Sequence, residues 1–137
     1  MHMPSGPLGA RILQFRSSES GAITVESVLW LPIYLIFFAL IADVSMMFHS
    51  QAKAMRIIQD ANRLASFQIY TTAEEVEANV KARVQTFSEN ASVETKLGTD
   101  AVATSVSMPV TDIAIIGFMG QLMKFDITVS SMHLVES

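Results

Sequence analysis

The chain has 137 residues, half of them hydrophobic, and a formal net charge of −4. This length is enough for one small domain, and the negative charge argues against binding of nucleic acid through a broad basic surface. The chain contains no cysteine, which excludes disulfides, thiolate catalysis and the common structural zinc sites.

The first strong pattern is an apolar segment near the N-terminus. Residues 27–42 carry no formal charge, and the apolar run extends over residues 22–48. A helix needs about 20 residues to cross a hydrocarbon core of about 30 Å, so we predict a transmembrane helix over 22–48. A cleaved secretory signal peptide is disfavoured, because the nearest cleavage site, at 52–54, lies past charged and bulky residues. A buried core helix is disfavoured because so small a chain has too little mass to cover it.

The start of this segment has a second pattern. A polar leader, residues 1–21, ends at Gly21; the small residue Ala22 follows, and Glu26 lies at the edge of the apolar run. Glycine accepts the extended backbone that a peptidase requires. After a cut behind Gly21, Ala22 would carry a charged amino group, and Glu26 lies one helical turn further on. Since a carboxylate beside hydrocarbon is costly unless paired, Glu26 is expected to neutralise its own terminus or that of a neighbouring subunit.

Two stretches carry a family resemblance. Ser20–Glu26, with the sequence SGAITVE, and Gln59–Ser66, with the sequence QDANRLAS, resemble the TadE-like proteins of the bacterial tight-adherence (Tad/Flp) pilus system. The resemblance implies cleavage between Gly21 and Ala22 by a prepilin peptidase on the cytoplasmic side. It also implies that Glu26 is the glutamate of the motif. The implied partners are the prepilin peptidase, membrane lipid, other pilins or pseudopilins and the pilus assembly machinery.

Within that system a minor role is expected. Ser27 follows Glu26 where major pilins of this kind carry tyrosine, and the mature chain, residues 22–137, is long for a major subunit. We therefore expect a minor pilin or pseudopilin that is single-pass in the inner membrane, with its C-terminal domain in the periplasm. Basic residues flank both ends of the apolar segment, so this orientation rests on the leader and the motif. The alternative function is an unprocessed, membrane-anchored periplasmic binding domain.

The helix is expected to continue to about residue 67, because no proline or glycine occurs between Asp43 and Phe67. Polar residues recur there at helical spacing and predict an exposed stripe. These residues are His49, Lys53, Arg56, Asp60 and Arg63. An opposite, apolar face is predicted from Val44, Met47, Met55, Ile58, Ala61 and Ala65. Two interpretations of Asp43 remain open: it lies at the outer membrane interface, or it pairs with a neighbouring subunit.

Further elements complete the predicted domain, residues 49–137. Thr72–Glu75 has the signature of a capping box and predicts a second helix. Alternating residues predict strands over 93–97 and 102–108, joined by a turn at 98–100, and a third strand from Phe125 to about Leu134. The predicted fold is α+β and pilin-like: a long N-terminal transmembrane and amphipathic helix, a second helix, and a small antiparallel sheet of three or four strands.

The apolar stretch within residues 111–124 has two open interpretations. It is either a short helix capped by Thr111 or Asp112, or an exposed surface for a partner or the membrane. Neither interpretation involves catalysis. The chain has no recognisable nucleophile–base pair, phosphate-binding loop or carboxylate dyad, and its three histidines, His2, His49 and His133, are far apart. We therefore expect no enzymatic activity, no cofactor and no bound metal.

Overall fold

The computed structural model describes the backbone of residues 8–135 and the side-chain surroundings from residue 21 onward, apart from Ala22 and Met119. Residues 1–7 of the predicted leader lie outside this range. The helices are α1 (Leu8–Ser66), α2 (Ala73–Val84), α3 (Val110–Ile113) and α4 (Phe118–Leu122), and the strands are β1 (Ser92–Leu97), β2 (Ala101–Pro109) and β3 (Asp126–Leu134). A long N-terminal helix, a second helix and a three-stranded antiparallel sheet confirm the predicted α+β fold.

Helix α1 contributes to two compact units, Met1–Phe38 and Ala39–Ser137. It begins at Leu8, well before the expected start at Ala22, and it continues through Pro32 to Ser66. Its end is a Schellman motif, in which Gln68 N donates to Ala65 O at 2.9 Å and Ile69 N donates to Leu64 O at 3.1 Å. Gln68 adopts a φ of 59°, the left-handed conformation that this motif requires. The backbone therefore turns sharply from α1 towards α2.

In the second unit, one face of α1 packs into the core. The buried apolar residues of this face are Ala54, Ile57, Ile58, Ala61 and Ala65. Their spacing of three and four residues is that of one helical stripe. All residues of the predicted polar stripe are exposed, as expected. At the membrane end the predicted apolar face is incorrect, since Val44 is exposed and Met47 is only half-buried.

Helix α2 begins with the predicted capping box. The Thr72 hydroxyl accepts a hydrogen bond from Glu75 N at 3.3 Å, and the Glu75 carboxylate accepts from Thr72 N at 3.4 Å. Val76, Val80 and Val84 then face the core and are fully buried. These bonds satisfy donors that the first helical turn leaves unpaired, so α2 has a sharply defined start.

The sheet is an antiparallel meander in the order β1-β2-β3. Thr104 in the central strand pairs with Thr95 of β1 and with Ser131 of β3. Alternate residues of β2, from Val102 to Met108, are buried, which is the pattern that the sequence predicts. Because β2 is paired on both sides, its buried residues form the centre of the domain core.

Residues 110–125 show features of both interpretations of the apolar stretch, since they contain short helices and also exposed apolar side chains. Two short helices form there, but the residue that caps α3 is Pro109, and neither Thr111 nor Asp112 caps it with its side chain. The predicted cap is therefore wrong. Val110 and Ile113 are buried in the domain, whereas Ile115 and Leu122 are exposed.

Instead of capping α3, Asp112 binds the connection between α2 and β1. Its carboxylate accepts hydrogen bonds from Asn90 N at 2.8 Å, Asn90 Nδ2 at 3.1 Å and Ser88 Oγ at 3.2 Å. Partial burial acts to raise the pKa of Asp112, but the hydrogen bonds from Asn90 and Ser88 outweigh it and lower that pKa below its usual value. The ionised carboxylate is therefore the form that the fold stabilises.

This arrangement predicts a pH-dependent contribution to stability. Because the pKa of Asp112 is lower in the folded than in the unfolded chain, its contribution is complete above about pH 5 and is lost as the pH falls through the folded pKa. We expect Asp112→Asn to lower the unfolding free energy by about 1 kcal/mol at pH 7 and to have little effect near pH 2. Urea unfolding at the two pH values measures this. Asp126→Asn, at an exposed carboxylate, is the control; an equal effect of Asp112→Asn at both pH values would contradict the prediction.

Candidate membrane and assembly segment

The most prominent surface of the protein is the apolar surface of α1. Among the described residues, α1 is the helix that is long and apolar enough to cross a membrane, judged by length and composition, and its most apolar window has a mean hydropathy of 2.1. None of the side chains in that window is buried. The exposed large side chains include Ile23, Val25, Val28, Leu29, Trp30, Leu31, Ile33, Tyr34, Leu35, Ile36, Phe37, Phe38 and Ile41. So continuous an apolar surface requires lipid or other apolar helices to cover it.

Two hydroxyl side chains near the start of this segment donate hydrogen bonds to the helix backbone. The Thr24 hydroxyl donates to Gly21 O at 3.1 Å, and the Ser27 hydroxyl donates to Ile23 O at 2.9 Å. Such bonds to a preceding turn remove the cost of placing a hydroxyl near hydrocarbon. Pro32 does not end the helix, although its missing N–H removes one bond of the helical ladder. The segment therefore forms a helix that is compatible with lipid.

Glu26 is exposed near the start of the apolar surface. Within the part of the chain that the structure describes, its carboxylate forms no hydrogen bond or ion pair. Since α1 is continuous there, Glu26 and Ala22 occupy the same helical face, one turn apart. The two residues are therefore spaced as neighbours on one face of the helix.

The predicted cleavage position lies inside the helix. Gly21 is part of α1, and a side chain in its place would meet nothing within 4 Å. The structure does not describe the surroundings of the Ala22 side chain. A peptidase would need to unwind this turn to reach the bond after Gly21. A glycine lowers that cost, because it favours a helix by about 1 kcal/mol less than alanine does.

Asp43 directly follows the charge-free run, and the structure gives it partners within its own chain, which neither sequence-based interpretation named. Its side chain is fully buried. Its Oδ1 accepts a hydrogen bond from Ile116 N at 2.8 Å, and its Oδ2 accepts one from Phe118 N at 2.9 Å. The partners thus belong to its own chain, 73 and 75 residues away in sequence. No local pattern around Asp43 indicates them.

Basic side chains follow the apolar segment directly. His49, Lys53 and Arg56 line one groove of the domain together with Arg83 of α2. Lys53 Nζ lies 4.4 Å from the centre of the Phe87 ring, and Arg83 forms an ion pair with Asp60 at 2.7 Å. Positive charge at this point suits the anionic headgroups at a membrane surface.

The histidines do not come together. His49 and His133 are both exposed on different elements, and His2 lies outside the described residues. In residues 8–135, no group of three or more His, Asp or Glu side chains is placed to hold a metal ion. What the structure assembles is an apolar helical surface with an exposed carboxylate at its start and a buried one near its end.

The chain was compared with known proteins. Residues 21–63 match a family model described as TadE-like protein. No curated protein and no solved structure matches the chain. The matched residues lie within α1, cover less than half of the chain and include Gly21, Ala22 and Glu26. This match confirms the resemblance drawn from the sequence: over residues 21–63 the chain is similar to the TadE-like proteins, which relates it to the Tad pilus system.

Proposed function

We propose that the protein is a minor pilin or pseudopilin that takes part in the assembly of a Tad/Flp-type pilus. The observation that carries this proposal is the coincidence of the TadE-like match over residues 21–63 with an exposed carboxylate, Glu26, one turn after Ala22. The uncovered apolar surface of the same helix supports it, because helices that assemble side by side in a membrane need such a surface. The proposed role is one of assembly and involves no catalysis.

The proposal includes a processing step. A prepilin peptidase on the cytoplasmic face of the inner membrane hydrolyses the peptide bond between Gly21 and Ala22; water supplies a hydroxyl to the glycine carboxyl and a proton to the new amino group. The mature chain then spans the inner membrane through α1, with the α+β domain in the periplasm. The satisfied hydroxyls of Thr24 and Ser27 support this placement, because they leave no unpaired hydroxyl donor in that part of the span.

Glu26 has a defined role in this scheme. The new amino group at Ala22 carries a positive charge near the edge of the hydrocarbon layer, and a lone charge there is costly. Glu26 neutralises this charge, either within one subunit or between neighbours. Pairing between neighbours fixes the axial position of one helix against the next. The partners are therefore other pilins or pseudopilins and the assembly machinery.

Intact-mass analysis of the protein from its native membrane tests the processing step. We expect a mature chain that begins at Ala22, and we expect Gly21→Leu to keep the leader, because a bulky side chain hinders access to the bond. Gly9→Ala, at another leader glycine, is the matched control and leaves processing unchanged.

One result of the mass analysis would contradict the processing step. A chain that retains Met1–Gly21 in cells that process another prepilin would overturn the proposal. That outcome would favour the alternative of an unprocessed, membrane-anchored periplasmic domain.

A further inference from the structure

A second apolar surface lies on the domain, at residues 114–124, hereafter the apolar loop. Four of its large side chains are exposed: Ile115 by 66%, Ile116 by 53%, Leu122 by 61% and Met123 by 55%. No charged residue occurs in this loop before Lys124, its last residue. Exposed apolar residues clustered in this way indicate a surface that contacts something other than water.

The apolar loop is fixed to α1 at a defined position. The buried carboxylate of Asp43 binds the backbone N–H groups of Ile116 and Phe118 at 2.8 and 2.9 Å. Asp43 directly follows the charge-free run of residues 27–42. The loop therefore lies beside the end of the charge-free run, at the last turns of the predicted transmembrane helix over residues 22–48.

The course of strand β2 also places the apolar loop at the Asp43 end of the domain. The middle of the sheet is joined to α1 at Asn62, which contacts Thr104 and Ser131. Asn62 lies about 28 Å further along the helix than Asp43, at about 1.5 Å per residue. From Thr104, strand β2 runs to Pro109 and on to the loop, whereas the turn after Leu97 lies at the other end of the sheet. The loop thus lies at the same end of the domain as Asp43.

We propose that the apolar loop inserts into the periplasm-facing interface of the lipid bilayer, as a second membrane contact beside α1. Lipid is the occupant that the observations favour, because the loop is held beside the end of the charge-free run of a helix that is long and apolar enough to cross a membrane. Lys124 ends the charge-free stretch and can extend its ammonium group to a lipid phosphate. The inference rests on the proposed membrane anchor. It adds that the apolar loop holds the domain against the membrane surface.

Tryptophan fluorescence tests both contacts separately. The chain contains a single tryptophan, Trp30, which reports on α1. In a Trp30→Phe background, Leu122→Trp reports on the apolar loop, Ile115→Trp is a second loop reporter, and Leu97→Trp at the opposite end of the sheet is the matched control. The full chain is reconstituted into phosphatidylcholine–phosphatidylglycerol vesicles with and without lipid brominated on its acyl chains near the headgroup.

We expect brominated lipid to remove about half of the emission from each loop reporter, because an interfacial side chain reaches the upper acyl chains. The Leu97→Trp control should keep its emission. Quenching of Trp30 in the unaltered chain, without quenching of either loop reporter, would overturn this inference and leave the anchor intact. An unquenched Trp30 would overturn the anchor and the inference together.

A second copy of the chain is the other possible occupant. Emission from the loop reporters that shifts to shorter wavelength with rising protein-to-lipid ratio, and that brominated lipid does not quench, would assign the loop to a protein interface and overturn the lipid contact. Misfolding of one reporter variant leaves the other to decide.

Discussion

Replacing Glu26 with alanine is expected to lower the number of assembled pili by about tenfold or more, since a lost pairing of about 1.4 kcal/mol already weakens association tenfold. The variant should still be cleaved after Gly21 and remain in the membrane, because the apolar surface that anchors it is unchanged. What it loses is the carboxylate that, under the proposed function, neutralises the amino group at Ala22. Complementation of a deletion strain, with pili counted by electron microscopy and processing followed by intact mass, measures this.

Two further variants separate charge from shape in this prediction. Glu26→Gln keeps the size of the side chain and removes its charge, so it should behave like the alanine variant. Asp60→Ala removes an exposed carboxylate from the same helix, where an exposed ion pair contributes at most about 1 kcal/mol, and should assemble normally. Normal piliation with Glu26→Gln would exclude neutralisation as the role of Glu26.

The local patterns of the sequence predict most of the fold. The capping box of α2, the alternation in β2 and the turn after Leu97 all depend on neighbours in sequence, and each is found in the structure. The start of α1 differs, because the sequence predicts a helix from about Ala22 and the helix begins at Leu8. Local propensity decides where a helix is favoured, but the position of its ends also depends on the neighbouring segments of the chain.

The candidate site is predicted less completely. Glu26 is visible in the sequence because a lone carboxylate at the edge of an apolar run is unusual. Asp43 and Asn62 were not predicted as packing residues, since their partners lie 73 and 69 residues away. A polar residue near or within an apolar stripe is either exposed to solvent or hydrogen-bonded inside the core. Only the folded structure distinguishes these two cases.

Asn62 forms the centre of such a network. It is fully buried on α1, and its Nδ2 donates to Ser131 O of β3 at 2.9 Å. Its Oδ1 accepts from the Thr104 hydroxyl at 2.6 Å. Because that hydroxyl has one proton, Thr95 must donate in the 3.1 Å contact between Thr95 and Thr104. The chain of bonds thus joins α1 to all three strands.

We expect Asn62→Leu to lower the unfolding free energy of the domain by about 2–4 kcal/mol. Leucine has a similar size but leaves a partly buried carbonyl at Ser131 and a buried hydroxyl at Thr104 without this partner, and an unsatisfied buried group costs about 1–3 kcal/mol. Urea unfolding of the full chain in detergent micelles, followed by circular dichroism, measures the change. Gln59→Leu, at an exposed position of the same helix, is the control and should change stability by about 0.5 kcal/mol or less.

A double variant tests whether the network itself carries the effect. Thr104→Val removes the hydroxyl that loses its acceptor in Asn62→Leu, so the combination should cost less than the sum of the single changes by about 0.5–3 kcal/mol. Additive single effects would show that Asn62 stabilises the domain by packing alone. A coupled result would show that the hydrogen bond between Asn62 and Thr104 itself helps to hold α1 against the sheet.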